Sequence, residues 1–135
     1  MILTTVSSEN QPKVSNHTEQ CTLLIVDDDP RIRRMLLRLL SRRFDTVLIA
    51  GSPAEAEQML EHNVVTHLLS DYDLGSDCLR GTELVPFWRG KYPSIERAVI
   101  LTGSSLPMAD VPPEVDCVLT KTDSIGTITN ALFNG

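Results

Sequence analysis

The sequence lacks the features that mark a membrane-spanning or secreted chain. No apolar run approaches the ~20 residues that a transmembrane helix needs. The first twenty residues contain neither a basic segment nor a long apolar one, so they do not resemble a signal peptide. The three cysteines, Cys21, Cys78 and Cys117, are odd in number and show no CxxC spacing. This cysteine usage argues against a disulfide framework or a zinc site and favours a reduced, cytoplasmic location.

Positive charge is also scarce. The formal net charge is −6, with 12 basic residues against 18 acidic ones, and this argues against binding to nucleic acid. The charges are unevenly distributed, because six of the twelve basic residues lie between Arg31 and Arg43 while acidic residues cluster at 27–29 and 71–77. We interpret the basic run as the solvated face of a helix, with the docking of an acidic partner surface as the functional alternative.

The length of 135 residues predicts a single stand-alone domain with one core. Residues 1–20 are polar and without periodicity, which predicts a flexible N-terminal tail ahead of a domain over 21–135. From residue 22 onward, short apolar runs alternate with segments of helical periodicity. We expect strands at Thr22–Val26, Thr46–Ala50, Thr66–Ser70, Ala98–Leu101 and Cys117–Thr120.

The helices are predicted from their start signals and apolar stripes. Asp29-Pro30 and Ser52-Pro53 each combine an N-cap with a proline in the first turn, and Glu55 is placed to complete a capping box. We expect Thr82 to cap the third helix and Ser124 to cap the last one. The first and last helices should turn these apolar residues to the core: Ile32, Met35, Leu36, Leu39 and Leu40, and Ile125, Ile128, Ala131 and Leu132.

Strands that alternate with helices predict an α/β fold, a doubly wound five-stranded parallel sheet, because parallel neighbours need crossover connections. The segment between the fourth and fifth strands, 104–116, holds three prolines and no helical stripe, so we expect the fourth helix to be short or degraded. Ligands of such sheets bind beyond the carboxyl ends of the strands. The residues that follow strand ends in this chain are polar: Asp27, Asp28 and Asp29, Asp71, Thr102 and Lys121.

This set of residues predicts phosphoryl chemistry with a divalent cation. Two carboxylates near 4 Å repel by about 4 kcal/mol at an effective dielectric constant of 20, so a cluster of them favours a bound cation. Mg²⁺ takes one or two carboxylates and recruits phosphate oxygens. Thr102 is then a candidate hydrogen-bond donor to a phosphoryl oxygen, and Lys121 a candidate counter-charge. Asp29 is interpreted as a helix cap only.

Four stretches, LLIVDDDP, LLSDYDLG, VILTGSS and VLTK, resemble the site segments of response-regulator receiver domains. They occur in that family's order and approximate spacing, and the resemblance covers residues 22 to about 133. It implies a flavodoxin-like fold and, for the stand-alone chain, similarity to the chemotaxis regulators. It also implies a histidine kinase or histidine phosphotransfer protein as the phosphodonor, an unknown downstream protein target, and no binding to nucleic acid or membrane.

The same resemblance assigns roles to individual residues. Asp71 becomes the phosphoacceptor and a ligand of Mg²⁺, and Thr102 and Lys121 contact the phosphoryl group. Asp27 and Asp28 form the acidic pair, with Asp28 the more direct metal ligand, and the Asp73 position supplies a backbone carbonyl to the metal. A domain of this kind catalyses its own phosphorylation and dephosphorylation and is not a turnover enzyme.

Two positions depart from the family pattern. Thr122 follows Lys121 where receiver domains have a proline in a cis peptide, so we expect a trans bond here. Val118 stands where the family has a switch aromatic. These departures keep open a pseudo-receiver that signals without phosphorylation. Asp71-Tyr72-Asp73 also resembles the nucleophile motif of haloacid-dehalogenase-like phosphatases, although in that family this motif comes before the acidic pair.

Overall fold

A computed structural model describes residues 20–75, 79–103 and 110–134, and these residues form five strands and four helices. The predicted flexible tail over 1–20 lies, except for Gln20, outside the described residues. In chain order the elements are β1 (Thr22–Val26), α1 (Pro30–Leu40), β2 (Thr46–Ala50), α2 (Pro53–His62), β3 (His67–Asp71), α3 (Gly81–Lys91), β4 (Arg97–Thr102), β5 (Cys117–Thr120) and α4 (Ile125–Asn134).

The five strands form one parallel sheet in the order β2-β1-β3-β4-β5. This confirms the predicted α/β class and the five-stranded doubly wound sheet. The strand order reverses between β1 and β3, since β2 pairs on one side of β1 and β3 on the other. The carboxyl ends of these two strands therefore border the crevice in which ligands of such sheets bind.

The core has two layers, one on each face of the sheet, because successive side chains of a strand point to opposite faces. One layer contains Leu24 and Val26 of β1 together with the fully buried Trp88 of α3. The other contains Leu23 and Ile25 of the same strand and packs against α1 and α4. Helices thus cover both faces and leave the strand ends as the accessible edges of the sheet.

The predicted helix starts are confirmed at three of four places. Asp29 accepts a hydrogen bond from the Arg31 N–H (2.9 Å), Ser52 from the Glu55 N–H (3.2 Å), and Ser124 from the Thr127 N–H (3.1 Å). The Glu55 carboxylate accepts from the Gly51 N–H at 2.6 Å, one residue before the expected partner.

The start of α3 differs from the prediction. The helix begins at Gly81, with Arg80 rather than Thr82 as its N-cap, and the Arg80 N–H donates to the Glu83 carboxylate at 2.8 Å. A Cβ atom on residue 81 would lie 2.8 Å from the Asp71 carbonyl oxygen. Gly81 therefore lets the helix start against the end of β3, a close approach that cap preferences alone do not reveal.

The apolar face of α1 is narrower than predicted. Leu36 and Leu40 are buried and Ile32 is partly buried, as expected. Met35 and Leu39 are 37% and 45% exposed, so their predicted core positions are wrong. The helix packs along the line of Leu36 and Leu40, and a rotation of 100° per residue leaves the other two on its flank.

The connection between β4 and β5 is only partly described. Residues 110–116 contain no α-helix, in keeping with the prediction of a short or degraded fourth helix, and residues 104–109 lie outside the described chain. None of the described helices is long and apolar enough to cross a membrane.

Candidate functional site

Three carboxylates meet at the carboxyl edge of the sheet. Asp27 follows β1, Asp28 comes next in the chain, and Asp71 ends β3. One oxygen from each lies within 4.8 Å of those of the other two. Asp27 and Asp71 are buried, whereas Asp28 is exposed. The sheet topology therefore brings together the three acidic side chains that the strand-end pattern selected.

Lys121, directly after β5, reaches across the edge to this cluster. Its Nζ atom lies 3.1 Å from Asp71 Oδ2 and 3.5 Å from Asp27 Oδ2. The lysine side chain is 29% exposed, and those of Asp27 and Asp71 are 2% and 4% exposed. One cation therefore faces two buried carboxylates, with the exposed carboxylate of Asp28 close by.

The backbone around Asp71 is held by several hydrogen bonds. The Asp73 N–H donates to Asp71 Oδ1 at 3.3 Å, and the Ser70 hydroxyl donates to the Asp71 carbonyl at 3.0 Å. The Tyr72 N–H donates to the Leu101 carbonyl at 2.8 Å, which ties the residue after Asp71 to β4. The carboxylate of Asp71 is thus presented from a fixed strand end rather than from a loose loop.

The charges in this cluster are only partly compensated. Burial raises the pKa of Asp71 to about 6, the charge of Asp27 adds to the rise, and Lys121 opposes it. Burial also raises the pKa of Asp27, against the hydrogen bond from the Asp29 N–H and the charge of Lys121. Burial lowers the pKa of Lys121, but its hydrogen bond to Asp71 and the two negative charges outweigh this, so the pKa is raised overall.

The same cluster fits a hard divalent cation. Asp27 Oδ2 is buried and has no hydrogen-bond partner among the described residues. Its nearest cationic group is the Lys121 ammonium at 3.5 Å, which it shares with Asp71, so one positive charge serves two buried carboxylates. Carboxylate oxygens are the ligands that Mg²⁺ and Ca²⁺ prefer. Asp27, Asp28 and Asp71 are the described residues that would hold such an ion.

Asp73 is placed apart from the other three carboxylates. Its side chain accepts a hydrogen bond from the Gly75 N–H at 3.2 Å and pairs with Arg80 at 3.5 Å. The resemblance gave the metal-binding role at this position to the backbone carbonyl and not to the carboxylate. That role stays a prediction. The Asp73 side chain instead makes contacts within the connection between β3 and α3.

Thr102 ends β4, beside the cluster. It is 2% exposed, and its carbonyl accepts a hydrogen bond from the Lys121 N–H at 2.9 Å. In the register of β3 and β4, Asp71 pairs with Leu101, so Thr102 lies one residue beyond the level of Asp71. The contact of Thr102 with a phosphoryl group stays a prediction.

No family model and no curated protein matches the sequence, but many solved structures match the fold. The signal receiver domain of an HD-domain-containing protein from Pseudomonas fluorescens superposes with a TM-score of 0.75 at 25% identity, covering 84% of this chain and 92% of that one. A response regulator from Burkholderia pseudomallei, crystallised with a phosphorylated aspartic acid, calcium and citrate, gives 0.73 at 25% identity over 84% and 67%. A chemotaxis response regulator of Vibrio cholerae gives 0.70 at 20% identity over 84% and 100%.

The chain folds as a response-regulator receiver domain. The predicted resemblance and the flavodoxin-like class are therefore confirmed. In the Burkholderia protein the aspartic acid is phosphorylated and a calcium ion is present, and the acidic cluster of this receiver domain is compatible with a divalent ion.

The segment after Lys121 forms a turn that the sequence did not predict. The peptide bonds of the described chain are trans, so the trans bond expected between Lys121 and Thr122 is confirmed. The Asp123 carboxylate accepts hydrogen bonds from the Thr120 N–H at 2.8 Å and from its hydroxyl at 3.2 Å. The Asp123 N–H donates in return to the Thr120 carbonyl at 3.1 Å. This turn encloses Lys121; an aspartate three residues after a strand end was the available signal.

Val118 is the residue that the resemblance assigns to the family's switch-aromatic position. It pairs with Ile100 of β4 and packs, partly buried, against the core layer that contains Trp88. The valine fills its position as a packing residue. A two-position aromatic switch is not available at residue 118.

Proposed function

We propose that this receiver domain accepts a phosphoryl group on Asp71 from a phosphohistidine of a histidine kinase or histidine phosphotransfer protein, with Mg²⁺ as the cofactor. The observation that carries the proposal is the Asp71 carboxylate, buried at the switch point of the sheet between Asp27 and Lys121. In this reaction an Asp71 oxygen forms a bond to phosphorus, the phosphorus–nitrogen bond of the donor breaks, and the imidazole leaves with the electron pair.

The residues of the site divide the work of this transfer. Asp71 must be ionised to attack phosphorus, and a pKa of about 6 leaves it mostly ionised at pH 7. Lys121 remains protonated, because its pKa is raised, and offsets negative charge on the transferred group. Thr102 would donate a hydrogen bond to a phosphoryl oxygen. Asp27, Asp28 and Asp71, with the Asp73 carbonyl, would hold Mg²⁺, which supplies positive charge that neutralises the phosphoryl oxygens.

We propose that the domain signals through a change in charge at the site, which alters its contacts with another protein. A phosphoryl group adds about −1.5 to −2 charges at the carboxyl edge, where the loops after β3 and β4 would respond. We propose that these loops change their contacts with a downstream protein. The only reactions that we propose are phosphorylation and dephosphorylation catalysed by the domain itself, so it would not be a metabolic enzyme. We also propose that the domain acts in the cytoplasm, together with its phosphodonor.

One observation favours a second candidate, a pseudo-receiver that binds partners without being phosphorylated. Val118 has no ring to turn inward, so the family's usual relay from the site to the β5 surface is missing. The acidic cluster and Lys121 would then have no role in phosphoryl transfer and would only stabilise a binding surface. The two candidates differ in one measurable property, the formation of a phosphoryl adduct.

The test is the rate of adduct formation with acetyl phosphate and phosphoramidate, followed by intact mass. We expect one phosphoryl adduct in the presence of Mg²⁺ and none in EDTA. The adduct should be lost in Asp71→Ala and retained in Asp73→Ala, the matched control two residues away. No adduct on the wild-type protein with either donor would favour the pseudo-receiver, and rapid turnover of a generic phosphate ester would favour a phosphatase.

A further inference from the structure

Arg33 lies on the first turns of α1, among the basic residues that the sequence analysis assigned to a solvated face. Its side chain does not extend into solvent, because its Nη1 donates a hydrogen bond to the backbone carbonyl of Asp27 at 2.8 Å. Asp27 is one of the three clustered carboxylate residues. A cationic side chain therefore binds the main chain of the loop that carries the site's acidic pair.

The guanidinium of Arg33 rests on Gly51, directly after β2. A Cβ atom at residue 51 would lie 2.7 Å from Arg33 Nη1 and 3.2 Å from its Cζ. Any side chain larger than hydrogen would displace the guanidinium. Gly51 has no left-handed φ, so the constraint at this position is the close approach of the guanidinium and not the backbone conformation.

The contact closes a set of bonds around Asp27. Its N–H donates to the Ala50 carbonyl at 3.1 Å, and its Oδ1 accepts from the Asp29 N–H at 2.9 Å. The bond from Arg33 to the carbonyl adds a third fixed point. The loop after β1 is thereby tied both to the end of β2 and to α1, through the N–H, the carbonyl and one carboxylate oxygen of Asp27.

We infer that Arg33, seated on Gly51, is a positioning residue that holds the Asp27–Asp28 loop in the geometry for binding the divalent cation. The part of this inference that concerns the cation rests on the proposed function. Outer contacts that orient metal ligands typically affect metal affinity by about 10- to 100-fold. The guanidinium is suited to this task because its planar group donates in a fixed direction.

The direction in which Mg²⁺ affinity changes when Arg33 is removed distinguishes a positioning role from a purely electrostatic one. Arg33 carries a positive charge close to a site for a cation, so its removal would strengthen Mg²⁺ binding if charge alone mattered. A positioning role predicts the opposite, weaker binding in Arg33→Ala. Arg34→Ala is the matched control, since it removes the same charge from the exposed neighbour on the same helix.

Gly51→Ala tests the contact between the Arg33 guanidinium and residue 51 without removing any charge. It should weaken Mg²⁺ binding about as much as Arg33→Ala does, by about tenfold. The double variant Arg33→Ala/Gly51→Ala should be no weaker than either single one, since the methyl group then has no guanidinium to displace. Gly90→Ala, at a position with nothing within 4 Å of the added Cβ, is the control for the substitution itself.

The experiment is a double-mutant cycle with two measurements, the Mg²⁺ dissociation constant from an NMR titration and the amide exchange of Asp27 and Asp29 in metal-free protein. We expect exchange about tenfold faster in Arg33→Ala and Gly51→Ala, near wild-type exchange in both controls, and non-additive effects in the double variant. Unchanged exchange, additive effects, or Mg²⁺ binding as tight as wild type in Arg33→Ala would overturn the inference. If the wild-type protein binds no Mg²⁺, the proposed function and the cation role fail together, whereas the exchange measurement still decides whether Arg33 holds the loop.

Discussion

At the amino edge of the sheet, where the strands begin, the acidic and polar groups have enough partners, whereas at the carboxyl edge two buried carboxylates share the single ammonium group of Lys121. Thr66 Oγ1 accepts from the Thr22 N–H at 2.9 Å and lies 2.8 Å from His67 Nδ1. Asp116 pairs with Arg89 at 2.8 Å and Arg97 at 3.6 Å, and accepts from the Ala98 N–H at 2.8 Å. At the opposite edge, Asp27 Oδ2 is buried without a hydrogen-bond partner among the described residues.

This difference separates the residues that stabilise the fold from those that make it reactive. Satisfied polar contacts at the amino edge fix the starts of the strands. Burial raises the pKa of Asp27 and Asp71 at the carboxyl edge, so we expect their charges to lower the stability of the ligand-free protein and a bound cation to restore it. Removing the charge of a clustered carboxylate at the carboxyl edge should therefore raise stability, whereas removing a paired carboxylate at the amino edge should lower it.

The largest effect is expected at the amino edge. Asp116→Ala removes the acceptor shared by Arg89, Arg97 and the Ala98 N–H, and should lower the free energy of unfolding by about 2–3 kcal/mol. Urea denaturation would measure this. Asp116→Asn is the control, because it retains an oxygen for the Ala98 N–H and should lose clearly less. Equal losses in both variants would show that the ion pairs account for the whole effect and that the hydrogen bond from the Ala98 N–H contributes little.

At the carboxyl edge, the corresponding change should stabilise. Asp71→Asn removes a buried charge whose pKa is raised to about 6, and should increase the stability of metal-free protein at pH 7.5 by about 1–2 kcal/mol. In the unfolded chain this carboxyl titrates near 4. The wild type therefore loses stability as the pH rises from ~4 to ~6, and the stability advantage of the variant grows over the same range. A destabilised Asp71→Asn protein would contradict the comparison. Mg²⁺ should stabilise the wild type more than the variant.

The turn after β5 gives a smaller effect that connects stability with chemistry. Asp123→Ala removes the acceptor for the Thr120 N–H and hydroxyl and should cost about 1 kcal/mol of stability. Because this turn encloses Lys121, the rate of adduct formation with acetyl phosphate should also fall. Asp123→Asn keeps one acceptor oxygen and should retain most of the rate. A full rate in Asp123→Ala would show that Lys121 is positioned by other contacts.

The smallest effect concerns His67 at the amino edge. Burial lowers the pKa of its imidazole, and the charge of Arg97 adds to the shift, so the folded protein favours the neutral ring. Stability from this residue is present above pH ~6.5 and is lost as the pH falls below it, by at most about 1 kcal/mol. Thermal unfolding of Asp71→Asn between pH 7 and pH 5, with and without His67→Gln, isolates this loss. If both proteins respond equally to pH, His67 is not its source.

Much of the fold could be predicted because its strands are short apolar runs with clear ends. The bounds of β1, β2 and β5 agree with the sequence analysis, whereas β3 lies one residue later than Thr66–Ser70. Thr66 has the composition of a strand residue, but its hydroxyl is used to bind Thr22 and His67 just before the strand begins. Strand ends shift in this way when a polar side chain satisfies the backbone from outside the ladder.

The charged residues of the candidate site could be predicted from the sequence, but the contacts that hold them in place could not. Asp27, Asp28, Asp71 and Lys121 follow strand ends, and parallel strands bring such residues to one edge. The seat of Arg33 on Gly51 depends on the distance between two elements, which no local pattern encodes. Met35 and Leu39 were assigned to the core for a similar reason, since periodicity gives the direction of a face but not its width.

The most direct test of the account is to locate the phosphoryl group on the chain. Protein treated with phosphoramidate and Mg²⁺ should be reduced with borohydride, which converts a phosphoaspartate to homoserine, and then mapped by peptide mass spectrometry. We predict homoserine at residue 71 alone, and none there when EDTA replaces Mg²⁺. Homoserine at residue 28 or 73 instead of 71, or unmodified Asp71 after treatment with several donors, would contradict the claim that the buried carboxylate beside Lys121 is the phosphoacceptor.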